Sequence, residues 1–263
     1  MKPKALILQA HGSNRDFDVI DALTLAGADA TGIPLNELRI HKTLLADFQL
    51  LVVPGGFSYA DALGAGKLLA LDLASYFADE ITEFVDSGKP VIGICNGFQA
   101  LVKSGILPGE KKDERRKNEA GATLTFNAEG HFECRWVNLA PVSQTCIWTK
   151  DLKGTITCPI AHGEGNFQTS KLFPLSSFIE QDQVALIYVR PDSSPANGEY
   201  PVNPNGSVLD IAGICNPQGN VLGLMPHPEN HIHAWQHPRH TRGEAGGSGL
   251  RLFENGVKYA HQI

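Results

Sequence analysis

A chain that repeats the order apolar run, glycine corner, amphipathic stretch has few folds open to it. LLVVPGG (50–56) and PVIGICNGF (90–98) are the two clearest instances. An unbroken apolar run of about 4–8 residues suits a strand buried on both faces, whereas a half-exposed strand alternates. ALIL (5–8) supplies a first strand of the same kind. Between the runs, apolar groups recur at helical spacing: FDVIDALTLAGA (17–28), ending at Gly27; residues 61–86, with Leu68, Leu69, Leu73, Phe77, Ile81 and Phe84; and GFQALVKSG (97–105), closed by Gly105. Strands and helices in alternation predict βαβ units, hence an α/β, flavodoxin-like three-layer sandwich around a mostly parallel central sheet.

After Pro108 the texture changes. GEKKDERRKNEAG carries a mixed charge run (111–117) that reads as a solvated loop. Beyond it the chain is β-rich: FECRWVNL (132–139), TITCPIA (155–161), QVALIYV (183–189), then two strands within 207–229 joined by the turn NPQGN. GLRLFENGVKYA (249–260) predicts a closing helix. No repeat or low-complexity tract divides the chain, so a single domain over 1–263 is expected. Within it, 230–248 reads as an insertion loop, solvated or facing a partner. Its histidines (His231, His233, His237, His240) raise a metal reading, but no ligand geometry follows from their spacing, and no metal is expected.

Charge and cysteine usage exclude several classes of function. The net charge is −6 and no basic block stands out, which argues against nucleic acid or an anionic membrane as partner. No apolar run approaches the roughly 18 residues of a membrane span, and residues 5–8 are too few for a signal peptide. Five cysteines without any CxxC spacing fit a reducing compartment, so a cytoplasmic protein is expected.

Chemistry is concentrated at four places. Cys95 lies between Gly93 and Gly97, at a corner between a strand and a helix. G-x-C-x-G at that junction has the mechanics of the G-x-S-x-G nucleophile elbow: flanking side chains do not fit, and the helix N-terminus faces the nucleophile. Taken alone, the corner leaves open that Cys95 merely fills the core. MPHPE supplies a base and its orienting group, because in extended chain His227 and Glu229 share a face and the flanking prolines hold that conformation. PGGFSYADALGAG provides backbone donors. The natural oxyanion pair is the Asn96 N–H with that of Gly56 or Phe57. In CPIAHGEGNF, His162 and Glu164 alternate with Gly163 and Gly165, the pattern of a loop wrapping a small polar ligand.

These four motifs, in this order over residues 54–229, resemble the class I (triad) glutamine amidotransferases. CNGFQ, GGFSY and AHGEGN together are similar to the branch that serves phosphoribosylformylglycinamidine synthase in de novo purine biosynthesis. The resemblance implies a class I glutamine amidotransferase-like fold, with Cys95 as nucleophile, His227 as acid/base and Glu229 orienting it. It puts Gly56 and Asn96 at the oxyanion hole. Gly55, Phe57 and Gln99, with His162, Gly163, Glu164, Asn166 and Phe167, fall at glutamine-binding positions. It also implies no cofactor in this chain; ATP and Mg would sit on the partner, the large (synthetase) subunit, with a small third subunit possible. That partner would use ammonia from glutamine to turn formylglycinamide ribonucleotide into its amidine. Consistent with this division, the chain has no G-x-x-x-x-G-K-[ST] loop. Ala60 departs from the family pattern, which often has glycine there.

Four rival readings remain at the level of sequence. PfpI-like cysteine enzymes share the elbow but do not require a distal PHPE pair. A regulatory module would keep the fold without the chemistry, and an FMN-binding flavodoxin needs a Ser/Thr-rich phosphate loop where QAHGSNRD has only Ser13. A glutaminase serving another acceptor also remains.

Overall fold

The computed structural model describes residues 1–109, 121–170 and 173–263. The charge run at 111–117 lies outside the described residues. The apolar runs form the centre: β1 (Lys4–Gln9), β3 (Leu50–Val53), β4 (Val91–Ile94) and β11 (Val221–Leu224), the last three with every residue buried. Together with β2 (Asp29–Pro34) they lie parallel in the order β2-β1-β3-β4-β11. The β-rich half extends the same sheet through antiparallel joins to β10 (Ile211–Cys215), β9 (Val184–Val189), β6 (Glu133–Pro141) and β7 (Ile156–His162). Only β10 and β6 run against the other strands of this sheet, so it is mostly parallel in direction. A small second sheet pairs β5 (Ala122–Thr125) with β8 (Asn166–Thr169).

The chain steps from β1 to β2 in one direction and from β3 to β4 in the other. Right-handed crossovers therefore put the intervening helices on opposite faces. On one face α1 (Asp16–Leu25) packs against α7 (Leu250–Ala260). On the other, α3 (Lys67–Ser75) packs against α4 (Ala78–Asp86) and α5 (Asn96–Lys103). Two short helices, α2 (Leu35–Ile40) and α6 (Leu175–Glu180), lie in the connections from β2 to β3 and from β8 to β9. These are the three layers expected.

Two of the expected helices differ in extent. The helix over 17–28 stops at Leu25, because Gly27 takes the left-handed φ of 101° that ends it. The helical spacing over 61–86 resolves into α3 and α4, broken at Tyr76–Phe77; residues 58–61 form only a short 3-10 turn with Tyr59 and Ala60 at positive φ, and no α-helix covers 58–66. There Gly64 (φ 114°) and Gly66 (φ 68°) turn the chain into a loop. The 230–248 segment forms short 3-10 turns instead of open loop, and it is partly packed: His231 is buried and its ring meets Trp136 edge-on at 5.0 Å. Among the described residues, no group of three or more His, Cys, Asp or Glu is placed to hold a metal ion, and no helix is long and apolar enough to cross a membrane.

Candidate active site

β3, β4 and β11 are neighbours, and their register pairs Val53 with Gly93 and Ile94 with Leu224. Three parallel strands thus end at one edge, where open α/β sheets hold their ligands. Each strand runs directly into one of the motifs: β3 into Pro54-Gly55-Gly56, β4 into Cys95-Asn96-Gly97, and β11 into Met225 through Glu229.

Cys95 sits at the turn from β4 into α5 with φ 50° and ψ −106°, a conformation that disfavours any residue with a side chain. Its N–H donates to Leu224 O at 2.8 Å and its carbonyl accepts from Gln99 N–H at 3.0 Å, so both neighbours hold the strained geometry. The flanking glycines are needed for contact reasons. A Cβ on Gly97 would lie 1.9 Å from Val53 O, and one on Gly93 would lie 2.5 Å from Leu101 Cδ1. Gly55 faces the reactive groups directly, since a Cβ there would be 2.9 Å from His227 Cε1 and 3.5 Å from Cys95 Cβ. One small gap therefore separates the sulfur-bearing residue from the imidazole.

His227 donates from Nδ1 to Glu229 Oε1 at 2.7 Å, and both side chains are buried. That bond fixes the tautomer and leaves Nε2, which has no hydrogen-bond partner among the described residues, for the sulfur side. Burial would lower the imidazole pKa, but the Glu229 carboxylate and the Cys95 sulfur outweigh it and push it up to about 10. The histidine segment is anchored by its N–H to Pro159 O at 2.8 Å, and Cys95 Sγ lies 3.8 Å from Ala161 O. Strand β7, outermost in the sheet, is in this way brought back onto the end of β11.

Of the Gly56 and Phe57 backbone N–H groups, only that of Gly56 is open among the described residues. The Phe57 N–H is taken by Gly12 O at 3.0 Å, whereas the N–H groups of Gly56 and Asn96 donate to nothing among the described residues. The Phe57 ring is half exposed beside them. Gln99 is buried, and its Nε2 donates to Glu164 O at 2.7 Å, which ties the 162–167 loop to α5. Glu164 also pairs with Lys103 at 3.6 Å and accepts from Ala65 N–H at 3.3 Å.

His162 is a buried strand residue and not part of an exposed loop. It falls in register with Ile156, Cys158 and Ile160 on the buried face of β7, which alternates strictly. Its Nδ1 donates to Asn127 Oδ1 at 3.1 Å, and Asn127 also binds Gly165 N–H and His162 O. Burial, with the charge of His227, lowers its pKa to about 3 and keeps it neutral. A Cβ on Gly165 would lie 2.2 Å from His162 Cε1, so this glycine is there to let the chain fold over the ring. Asn166 and Phe167 are buried under the same loop, with Phe167 N–H donating to Ser207 Oγ at 2.9 Å; Gly163 O accepts from Asn127 N–H. Asn127, Ser58, Asp61 and Lys103 belong to the site's framework and were not singled out from sequence. Lys103 alone carried a signal, four residues from Gln99 on the same helix face.

Two surface hollows, of about 470 and 1060 Å³, are lined by other residues. Cys95 is only 5% exposed, and the candidate site is a narrow slot. A thiol, a carboxylate-oriented imidazole and two open backbone N–H groups around such a slot suit acyl transfer.

Comparison with known proteins points the same way. Residues 2–260 match the family described as CobB/CobQ-like glutamine amidotransferase domain. The chain is 55% identical to a phosphoribosylformylglycinamidine synthase subunit PurQ from Treponema denticola, covering 98% of this chain and 99% of the relative. It is 42% identical to the protein of the same description from Dehalococcoides mccartyi, over 100% and 99%. Among solved structures, PurLQS from Thermotoga maritima superposes with a TM-score of 0.74 at 32% identity, over 98% of this chain and 99% of that one.

Proposed function

We propose a function from the premise that this chain belongs to the CobB/CobQ-like glutamine amidotransferase domain family. It is the glutaminase subunit of phosphoribosylformylglycinamidine synthase, and relatives matched over nearly their whole length are described as subunit PurQ of that synthase. The observation that carries the mechanism is the left-handed Cys95 elbow facing the buried His227–Glu229 pair.

Glutamine enters the slot with its side-chain carbonyl toward Gly56 and Asn96. The Cys95 thiolate adds to that carbon, and the two N–H groups take the developing oxyanion; each such donor is worth about 3 kcal/mol. His227, which the raised pKa keeps protonated near neutrality, passes its proton to the leaving nitrogen, and ammonia departs as the C–N bond breaks. Water then gives a proton to His227 and attacks the γ-glutamyl thioester, so that glutamate leaves and the sulfur is freed. Glu229 stabilises the imidazolium at both stages. Gly55, Phe57, Gln99 and the loop from His162 to Phe167 shape the slot around the substrate's backbone groups.

The ammonia goes to a separate synthetase subunit, which binds ATP with Mg and converts formylglycinamide ribonucleotide to its amidine. The relative solved as PurLQS supports a further small subunit as well. A cytoplasmic setting fits five free cysteines. The assembled complex tests the assignment. Cys95→Ala should abolish glutamine-dependent product and leave ammonia-dependent product intact, and glutamine use by that variant would refute it.

A further inference from the structure

The side chain of Asn96 has no part in the mechanism above, which uses only its backbone N–H. Yet it is 2% exposed, and every polar atom of its carboxamide is engaged. Oδ1 accepts from Ser58 N–H at 3.2 Å and from Ser58 Oγ at 2.5 Å. Nδ2 donates to Asp61 Oδ1 at 2.8 Å and to Gln99 Oε1 at 3.2 Å. Asp61 Oδ1 in turn accepts from Gly66 N–H at 3.3 Å.

The loop held in this way is under strain. Tyr59, Ala60, Asp61 and Leu63 have φ of 54°, 54°, 50° and 68°, all left-handed and none of them glycine. Such a run persists only where its surroundings dictate it. Its first residues include Gly56, which supplies one oxyanion donor, while the residue that grips it supplies the other. The two donors come from different strands, β3 and β4, and no hydrogen bond joins Gly56 directly to the elbow among the described residues.

We propose that the Asn96 carboxamide is a positioning group. By clamping Ser58 and Asp61 to the elbow, it holds the Gly56 N–H in register with the Asn96 N–H, so that one tetrahedral oxyanion meets both. Because the oxyanion exists only in the transition state, loosening the clamp lowers kcat and leaves glutamine binding largely unchanged. The inference rests on the reading of Cys95 as nucleophile.

The test uses the assembled synthetase complex and measures kcat and KM for glutamine. Asn96→Ala should lower kcat by about 10–100-fold, below the loss of a whole donor, with KM changed by less than about threefold. Asn96→Asp should be as slow near neutral pH, because its carboxylate faces that of Asp61. It should recover relative to the parent as the pH falls and the two carboxylates come to share a proton. Combining Asn96→Asp with Asp61→Asn returns an N–H to the contact and should recover most of the lost kcat near neutrality, a rescue that a general packing role does not give. The proposal is overturned by Asn96→Ala with kcat within twofold of the parent, by a loss carried by KM, or by a double variant no faster than Asn96→Asp. Labelling of Cys95 by a glutamine-like electrophile in the same samples separates the two levels. Labelling at the parental rate with these kinetic outcomes sinks only the clamp, whereas absence of labelling in the parent sinks the nucleophile.

Discussion

Gly97→Ala concentrates the geometry of the site into one methyl group. The new Cβ would lie 1.9 Å from Val53 O, 2.6 Å from Val53 C and 3.1 Å from Pro54 O. All three are backbone atoms at the end of a fully buried strand, so no flexible side chain can yield. Ordinary contact begins near 3.4 Å, which leaves about 1.5 Å to be recovered by moving α5 away from β3. Overpacking of this kind costs about 1–3 kcal/mol. In a chain of this size that lowers Tm by about 2–4 °C per kcal/mol. Activity should suffer more than stability, because Cys95 and the Asn96 N–H ride on the same turn. A shift of about 1 Å in a reacting group costs roughly a hundredfold in rate. The assays are thermal unfolding and glutamine-dependent turnover of the assembled complex. Gly105→Ala is the control: φ is 81° but no atom lies within 4 Å, so it should cost only about 1–2 kcal/mol of left-handed strain and leave kcat alone. Gly97→Ala with parental kcat/KM would show that the elbow does not need its contact with β3, and the reasoning would fail.

Glu229→Gln keeps an acceptor 2.7 Å from His227 Nδ1 but removes the charge, and should lower kcat by about 10³–10⁴-fold with little change in KM. Stability should respond to pH with a definite sign. The His227 pKa is raised in the folded state, so its contribution is fully present below about 6.5 and is lost as pH rises through about 10. Denaturation of parent and variant should therefore differ most at mildly acid pH and converge toward pH 10; a gap that widened with pH would contradict the ion pair. Ala60→Gly should raise Tm slightly. Relief of about 1–2 kcal/mol of strain at φ 54° is partly offset by about 0.5–1 kcal/mol of extra chain entropy, and a lower Tm would show that the Ala60 methyl makes a contact worth more than the strain.

The parallel core was legible because LLVV, VIGI and VLGL are buried on both faces and show no alternation. The strand β2 was not, because DATGIP has the Asp, Gly and Pro that strands avoid, and it survives only as an edge paired to β1. The helical spacing over 61–86 concealed a loop, since apolar periodicity does not register the left-handed glycines at 64 and 66. At the site, Cys95, His227 and Glu229 could be picked out because each lies in a short motif whose chemistry depends on neighbours in sequence. The place of His162 was legible in principle, because TITCPIAH alternates and puts the ring on the face of Ile156, Cys158 and Ile160. The clamp was not, because Asn96 meets Ser58 and Asp61 only after two strands have folded side by side.

The most direct measurement is of the covalent intermediate. The complex is mixed with glutamine, quenched in acid within the first turnover and digested, and the peptides are weighed. The account predicts a γ-glutamyl group on the peptide bearing Cys95, absent from Cys95→Ala and scarcely formed in His227→Ala. A complex that consumes glutamine while that peptide stays unmodified, or that carries the group on another residue, would contradict it.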